Sequence, residues 1–518
     1  MISEKKMANT KEKKGFLNFI EKVGNSLPHP ATIFLILCTF IIILSHIMAK
    51  MGVSVVYTGI DRATNEIKDM TVTVNSLLTS EGIRYIFESA VSNFTGFAAL
   101  GTVLVAMLGV GVAEGTGFIS AVLRKLVLST PKRLITVVVV LAGVLSSIAS
   151  DAGYVVLVPL GAVVFLSMGR NPIAGLAAAF AGVSGGFSAN LIFGPTDTLL
   201  SGLTTEGAKM INPTYQVSPA GNWFFIIAST IVITIIGTIV TEKVVEPRLG
   251  EYKGKKTENM DHLSDEEKRG MKFAIVSLIA YAIFMGLLIV PKDSALRNPK
   301  TGEILSSPFM SSIVVVISLA FFVVGVAYGI GARKIKSDKD IVKEMGKTMS
   351  SMGGYIVLVF FAAQFVAYFA HSNIGTVIAV KGADFLKAAN ISGLPLIIGF
   401  ILITAFINLF MGSASAKWAI MAPIFVPMLM QMNISPEFTQ MAYRIGDSTT
   451  NIISPLMTYF ALIVSFAEKY DEESGIGTLV STMLPYSIAL LIGWTLLLVC
   501  WYLFNLPLGP GAFIGYGM

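Results

Sequence analysis

Gly412-Ser413-Ala414-Ser415-Ala416-Lys417 and Ser146-Ser147-Ile148-Ala149-Ser150-Asp151 each interrupt a long apolar run at its middle, and their reading decides the fold. The runs, 396–431 and 134–168, are too long for one membrane crossing. Each reads as a hairpin that enters the membrane, turns at mid-depth and leaves on the side it came from. Backbone at such a tip carries N–H and C=O groups that lipid cannot satisfy, so it persists only against protein or a wet cavity.

The rest of the chain suits the same medium. Of its 518 residues 54% are hydrophobic and only 14% charged, with a mean hydropathy of +0.74; a soluble chain carries about a quarter charged residues. Nine further apolar runs read as spanning helices: 30–49, 93–113, 172–196, 221–241, 273–291, 309–332, 349–371, 437–466 and 477–507. The first follows a lysine-rich head, 1–29, which is too long for an ordinary signal peptide and lacks a small-residue cleavage site, so this helix reads as retained. Cys38 and Cys500 lie inside apolar runs without metal-ligand spacing and read as packing residues.

Charge sets the orientation. With the N-terminus in the cytoplasm, 26 Lys and Arg fall in inside segments and 10 in outside ones, as the positive-inside rule requires. The tail 508–518 then lies outside, and the chain is expected in a cell's inner membrane. The pI near 9.0 thus arises from alternate loops, not from a basic stripe for nucleic acid. Two basic residues remain that only the membrane can hold, Lys417 and Arg444.

Shifting the chain by 264 residues lays Pro131 on Pro395, Pro159 on Pro423, Pro172 on Pro436, Tyr154 on Trp418, Asp151 on Ser415 and Gly182 on Gly446. The match divides the protein into a first repeat, 30–241 with its hairpin at 131–169, and a second, 309–507 with its hairpin at 395–431. A loop and linker span, 242–308, join them. On this layout the hairpins open to opposite sides, so the repeats are inverted and the fold class is an all-α membrane protein with broken helices at its centre. Such inverted, interrupted repeats are the architecture of alternating-access carriers.

A second polar run follows each hairpin. The first is 182–190, with Gly194-Pro195-Thr196-Asp197 behind it; the second is 446–451, with Ser454-Pro455 behind it. Glycine, hydroxyls and a downstream proline loosen a helix, and freed carbonyls and hydroxyls suit a hard cation. The candidate Na+ ligands are Ser150, Asp151, Ser184, Ser188, Ser413, Thr449 and Thr450, with close helix packing as the plain alternative. Arg444 and Asp447 stand three apart on one helix face, which fits an anion clamp held by its own carboxylate, or a structural ion pair. Lys417 could snorkel to the surface from a hairpin mouth. Trp418 could stack on a flat substrate or pack between helices. Asp197 reads as an ion or proton ligand, or as a helix cap. Asn190 and Asn451 add amides at the two breaks.

At these residues the sequence resembles the p-aminobenzoyl-glutamate transporter (AbgT) family, within a broader group of ion-coupled carriers with paired hairpins. The resemblance is carried by Gly412 to Pro423, by Tyr443 to Asn451 with Ser454-Pro455, and by Gly194 to Asp197. It implies a homodimer with nine spans and two hairpins per protomer. It also implies a substrate site at Asp197, Ser415, Trp418, Pro436, Arg444, Asp447 and Pro455. The implied substrates are p-aminobenzoyl-glutamate and p-aminobenzoate-like antimetabolites such as sulfonamides, moved with Na+ or H+ and with no other cofactor.

Other readings are weaker. A Na+-coupled di- or tricarboxylate carrier shares the anion clamp. Gly182-Val183-Ser184-Gly185 matches the nucleophile turn of an intramembrane serine protease, with His371 as base, but such an enzyme needs neither a second hairpin nor Arg444. Channels place hairpin tips around an axis rather than in inverted pairs. Gly250 to Thr257 lacks one residue of a nucleotide-binding phosphate loop.

Overall fold

The protein is described here from a computed structural model, which defines residues 28, 30–60, 67–149, 153–254, 263–304, 307–472 and 474–517. Ser150 and Asp151, proposed as cation ligands, lie outside the described residues. Among the described residues six helices are long and apolar enough to cross a membrane: Ala31–Lys50, Trp223–Leu249, Asp265–Ile289, Ile313–Gly331, Gly353–His371 and Ile476–Leu503. A further pair, Leu100–Gly115 and Phe118–Leu128, passes the same test together but bends by 60° at its join.

Why these runs make helices is plain at Asp265–Ile289. Ser264 Oγ accepts from the Glu267 N–H at 3.2 Å and Glu267 Oε2 accepts from the Ser264 N–H at 2.9 Å, a reciprocal cap that fixes its start. Beyond the cap, Val276, Ile283, Phe284 and Leu287 stay exposed, the surface expected of a helix bathed in lipid. Small residues set the helix–helix distances. A Cβ on Gly161 would fall 2.6 Å from the Gly175 carbonyl, and one on Gly175 would fall 2.2 Å from the Gly161 carbonyl, so backbone meets backbone there.

Both hairpin segments form pairs of short helices. In the first, Ile135–Leu145 runs into a tight turn at Ser146–Ala149, and Gly153–Leu157 continues into Val158–Ser167. In the second, Gly393–Asn408 and Ala414–Met430 flank a non-helical tip. Seventeen residues, the longer arm of the second, reach only about 25 Å, short of the ~30 Å hydrocarbon core.

Several of the nine expected spans are divided, 93–113 between Ala90–Thr95 and Ala98–Gly115 among them, and two are interrupted by longer non-helical stretches. Pro172–Phe180 widens into a π turn at Ala181–Gly185, the chain leaves the helix, and Pro195–Ala208 begins anew. Pro436–Asn451 likewise ends before Phe460–Glu468. Shifted by 264 residues, Pro172 and Pro436 both open a helix, and Pro195–Ala208 falls over Phe460–Glu468.

The second break lies later than the sequence reading put it. Residues 446–451 remain helical, and the interruption covers 452–459, where Ser454 and Pro455 sit. Gly446 serves contact rather than unwinding: a Cβ there would lie 2.5 Å from the Ile401 carbonyl. The hydroxyls of Thr449 and Thr450 fold back onto the Ile445 and Gly446 carbonyls at 2.7 and 2.9 Å, which a helix tolerates.

The all-α expectation also missed a two-stranded antiparallel ribbon, Ser54–Ile60 with Ile67–Thr73, in register Ser54 to Thr73. Its run of Val, Ile and Thr favours strand, but lay in a segment read only as a connecting loop.

Candidate functional site

Helix Pro436–Asn451 is the hub. Ser435 caps it, its Oγ accepting from the Phe438 N–H at 3.2 Å and donating to the Phe513 carbonyl at 2.6 Å, while its N–H bonds the Ile514 carbonyl at 2.8 Å. The C-terminal tail therefore pins the start of this helix. Pro436 occupies its first position, where a missing N–H costs nothing. All sixteen residues of the helix are buried, although Glu437, Gln440, Arg444, Asp447 and Ser448 are polar.

Lys417 is not at a hairpin mouth. It lies one turn into Ala414–Met430, only 1% exposed, with Nζ 2.5 Å from Asp447 Oδ1. Nζ also donates to Asn408 Oδ1 at the end of the other hairpin arm. The Asn408 amide group in turn reaches the Asp447 carbonyl at 2.7 Å, Thr450 Oγ1 at 2.9 Å and Asn451 Oδ1 at 2.9 Å. Asn408 escaped the sequence reading; its signal was a single amide in the apolar stretch before the tip.

The Arg444–Asp447 pair expected from their spacing does not form. Arg444 Nη1 instead lies 2.6 Å from Asp197 Oδ1, and Nη2 donates to the Ser188 carbonyl at 3.1 Å. Both side chains are buried. Asp197 is also the cap of Pro195–Ala208, its Oδ2 accepting from the Gly194 N–H at 2.7 Å, which is the helix-cap reading, while its other oxygen faces the arginine. One ion pair thus ties hairpin to broken helix, and the other ties the two broken helices together across the halves. Burying these four charges is tolerable only as pairs, since removing one partner of such a pair costs about 3–5 kcal/mol.

Trp418 is fully buried. Its ring stacks on Tyr443, centroids 4.3 Å apart, and its Nε1 donates to Thr204 Oγ1 at 2.9 Å. A flat substrate could reach that face only after Tyr443 moves. Thr204 Oγ1 also lies 3.0 Å from Gln440 Oε1, so Pro195–Ala208 and Pro436–Asn451 meet at two levels, Asp197 with Arg444 and Thr204 with Gln440.

The remaining candidates lie around this centre. Asn190 donates to Ser147 Oγ at 2.8 Å at the first tip. Ser413 and Ser415 face each other at 3.4 Å at the second tip, half-buried, and Pro455 is half-buried in the second break. Gly412 brings that tip against the Leu456 carbonyl, 2.5 Å from where a Cβ would stand. Thr449 and Thr450 spend their hydroxyls on helix carbonyls, so as cation ligands they would have to turn. Ser184 Oγ, Ser188 Oγ, Thr404 Oγ1, Ser448 Oγ, Asp447 Oδ2 and Arg444 Nε are buried with no hydrogen-bond partner. Buried polar atoms ordinarily bond to protein or to ordered water, so these are the positions at which a water, an ion or a polar solute would be held. Among the described residues no group of three or more His, Cys, Asp or Glu gathers as a metal cage.

A bundle of lipid-facing helices, interrupted at its centre by paired hairpins, broken helices and two buried ion pairs, defines a polytopic membrane transport protein. The sequence matches the AbgT putative transporter family over residues 15–516, and the chain belongs to that family. It is 39% identical over 495 residues to the p-aminobenzoyl-glutamate transport protein of Escherichia coli (strain K12), covering 96% of each chain. Two relatives of known structure share the fold. The Alcanivorax borkumensis YdaH transporter is 46% identical with a TM-score of 0.88, covering 93% of this chain and all of that one. Neisseria gonorrhoeae MtrF, described among a class of antimetabolite efflux pumps, is 50% identical with a TM-score of 0.90, covering 96% of this chain and all of that one.

Proposed function

We propose that the chain is a secondary carrier that moves p-aminobenzoyl-glutamate, or related p-aminobenzoate-like aryl carboxylates and sulfonamide antimetabolites, by alternating access coupled to Na+ or H+. The observation that carries this reading is the Arg444–Asp197 pair, a buried guanidinium held by a carboxylate of the other half. A substrate carboxylate binds by taking the place of Asp197 on Arg444, and the displaced contact frees the two halves to shift. Trp418 and Tyr443 supply aromatic faces for the aryl ring beside that anion site. The family membership and the names of the relatives support the substrate class.

On this reading each broken pair counts as one crossing. The molecule then has nine spans and two re-entrant hairpins in two inverted repeats, with the N-terminus cytoplasmic and the C-terminus outside. It works as a homodimer in the inner membrane. The Na+-coupled dicarboxylate alternative uses the same arginine but has no need of the stacked aromatics. Substrate competition separates the two. In proteoliposomes loaded for counterflow, excess p-aminobenzoate is expected to suppress uptake of labelled p-aminobenzoyl-glutamate at least tenfold, and succinate to leave it unchanged. Suppression by succinate alone would favour the dicarboxylate carrier.

A further inference from the structure

Three carboxylates lie buried on or against helix Pro436–Asn451, and two of them have a basic partner. Asp447 pairs with Lys417, and Asp197 pairs with Arg444. The third, Glu437, is 6% exposed, and among the described residues no Lys, Arg or His forms an ion pair with it. Its hydrogen-bond donor is the Tyr215 hydroxyl, 2.9 Å from Oε2. An ionised carboxylate buried without a cation costs several kcal/mol, so this one calls for neutralisation. Among the described residues no other acidic, His or Cys side chains gather around it as a metal cage. A proton suffices, and the tyrosine hydroxyl suits both states: it donates to the carboxylate and accepts from the acid.

A proton also has a way in. Glu437 and Tyr215 line a cavity of about 980 Å³ at the end of the molecule that bears the C-terminal tail. Tyr516 closes one side, its ring 5.9 Å from that of Tyr215, and among the described residues Asp384 and Lys387 are the other charged groups on the wall. From Glu437 one helical face continues through Gln440 to Arg444 and Asp447, at spacings of three and four residues. Arg444 lies two turns along, about 10 Å away.

We propose that Glu437 is the proton acceptor of the cavity side, the group through which a coupling proton enters. This rests on the carrier reading above. A hydronium in the cavity gives its proton to a Glu437 carboxylate oxygen and leaves as water. The neutral acid no longer offsets the field of Arg444, whose guanidinium then attracts a substrate carboxylate more strongly. Proton binding and anion binding therefore favour each other.

The test uses the full chain in proteoliposomes with labelled p-aminobenzoyl-glutamate, under a proton gradient and a Na+ gradient applied separately. Wild type should accumulate substrate under the proton gradient. Glu437→Gln should lose that accumulation at least tenfold, keep counterflow at equal pH within about twofold, and show a flat pH profile; Glu437→Asp should recover part of the accumulation. Undiminished accumulation in Glu437→Gln overturns the proposal, as does parallel loss of counterflow, which would mark a structural or substrate role. If Glu437→Gln does not fold, Tyr215→Phe keeps the carboxyl and removes its donor; the pH midpoint of uptake should move by about one pH unit, and an unmoved midpoint counts against Glu437. Wild type driven by Na+ alone overturns the role of Glu437 and leaves the carrier intact, whereas no accumulation under either gradient removes the carrier reading itself.

Discussion

Lys417→Met is expected to abolish uptake and to destabilise the protein by about 3–5 kcal/mol, because it leaves the Asp447 carboxylate buried without its cation. Methionine fills nearly the same volume, so the loss reports charge rather than packing. Asn408 Oδ1 also loses its donor, and the amide that spans helix Pro436–Asn451 and the hairpin is no longer fixed from that side. The double change Lys417→Met with Asp447→Leu should recover most of the stability, since apolar replacements for a whole buried pair are often neutral. It should not recover transport. Thermal unfolding in detergent and uptake in proteoliposomes read the two effects separately. A single variant as stable as wild type would show that Asp447 does not need the lysine, the Tyr443 hydroxyl at 3.5 Å being its other neighbour.

The second large effect concerns Asp197. In the proposed cycle it competes with the substrate carboxylate for Arg444, so Asp197→Asn should bind p-aminobenzoyl-glutamate about tenfold more tightly, about 1.4 kcal/mol. Turnover should nonetheless fall by more than tenfold, because the carboxylate that displaces the substrate is gone. The free variant is also less stable, with Arg444 left to the Ser188 carbonyl. Bound substrate should therefore raise its melting temperature more than it raises that of wild type. Calorimetric titration of the purified protein measures the affinity directly. Weaker binding in Asp197→Asn would mean that Asp197 touches the substrate rather than competing with it.

Much of this was legible in the sequence, for physical reasons. Arg444 and Asp447 stood out because charge within an apolar run is costly and demands a reason. The hairpin tips stood out because serine and glycine interrupt runs too long for one crossing. Pairing was not legible. Spacing put Arg444 beside Asp447, whereas the fold turns Arg444 toward Asp197 and gives Asp447 to Lys417. Asp197 is distant in the chain and meets Arg444 only when helices of both halves pack, and Lys417 meets Asp447 only when the second hairpin folds against the hub helix. Lys417 was misplaced because a long side chain near a tip can snorkel equally well from sequence; burial at 1% settles it. Gly446 was read as a helix breaker, yet glycine in a membrane helix also permits contact, and only the nearby Ile401 carbonyl distinguishes the two. Glu437 carried no sequence signal that set it apart, since its burial depends on Tyr215 and on the tail folding back.

In the proposed cycle the buried polar centre is reached from each side of the membrane in turn. Ser448, fully buried on the hub helix with an unsatisfied hydroxyl, is the place to probe it. With Cys38 and Cys500 replaced, a single Ser448→Cys variant is exposed to a membrane-impermeant thiol reagent in right-side-out and in inside-out vesicles. Modification is expected in both preparations, slowed in each by p-aminobenzoyl-glutamate. Modification from one side only, or from neither, would contradict it.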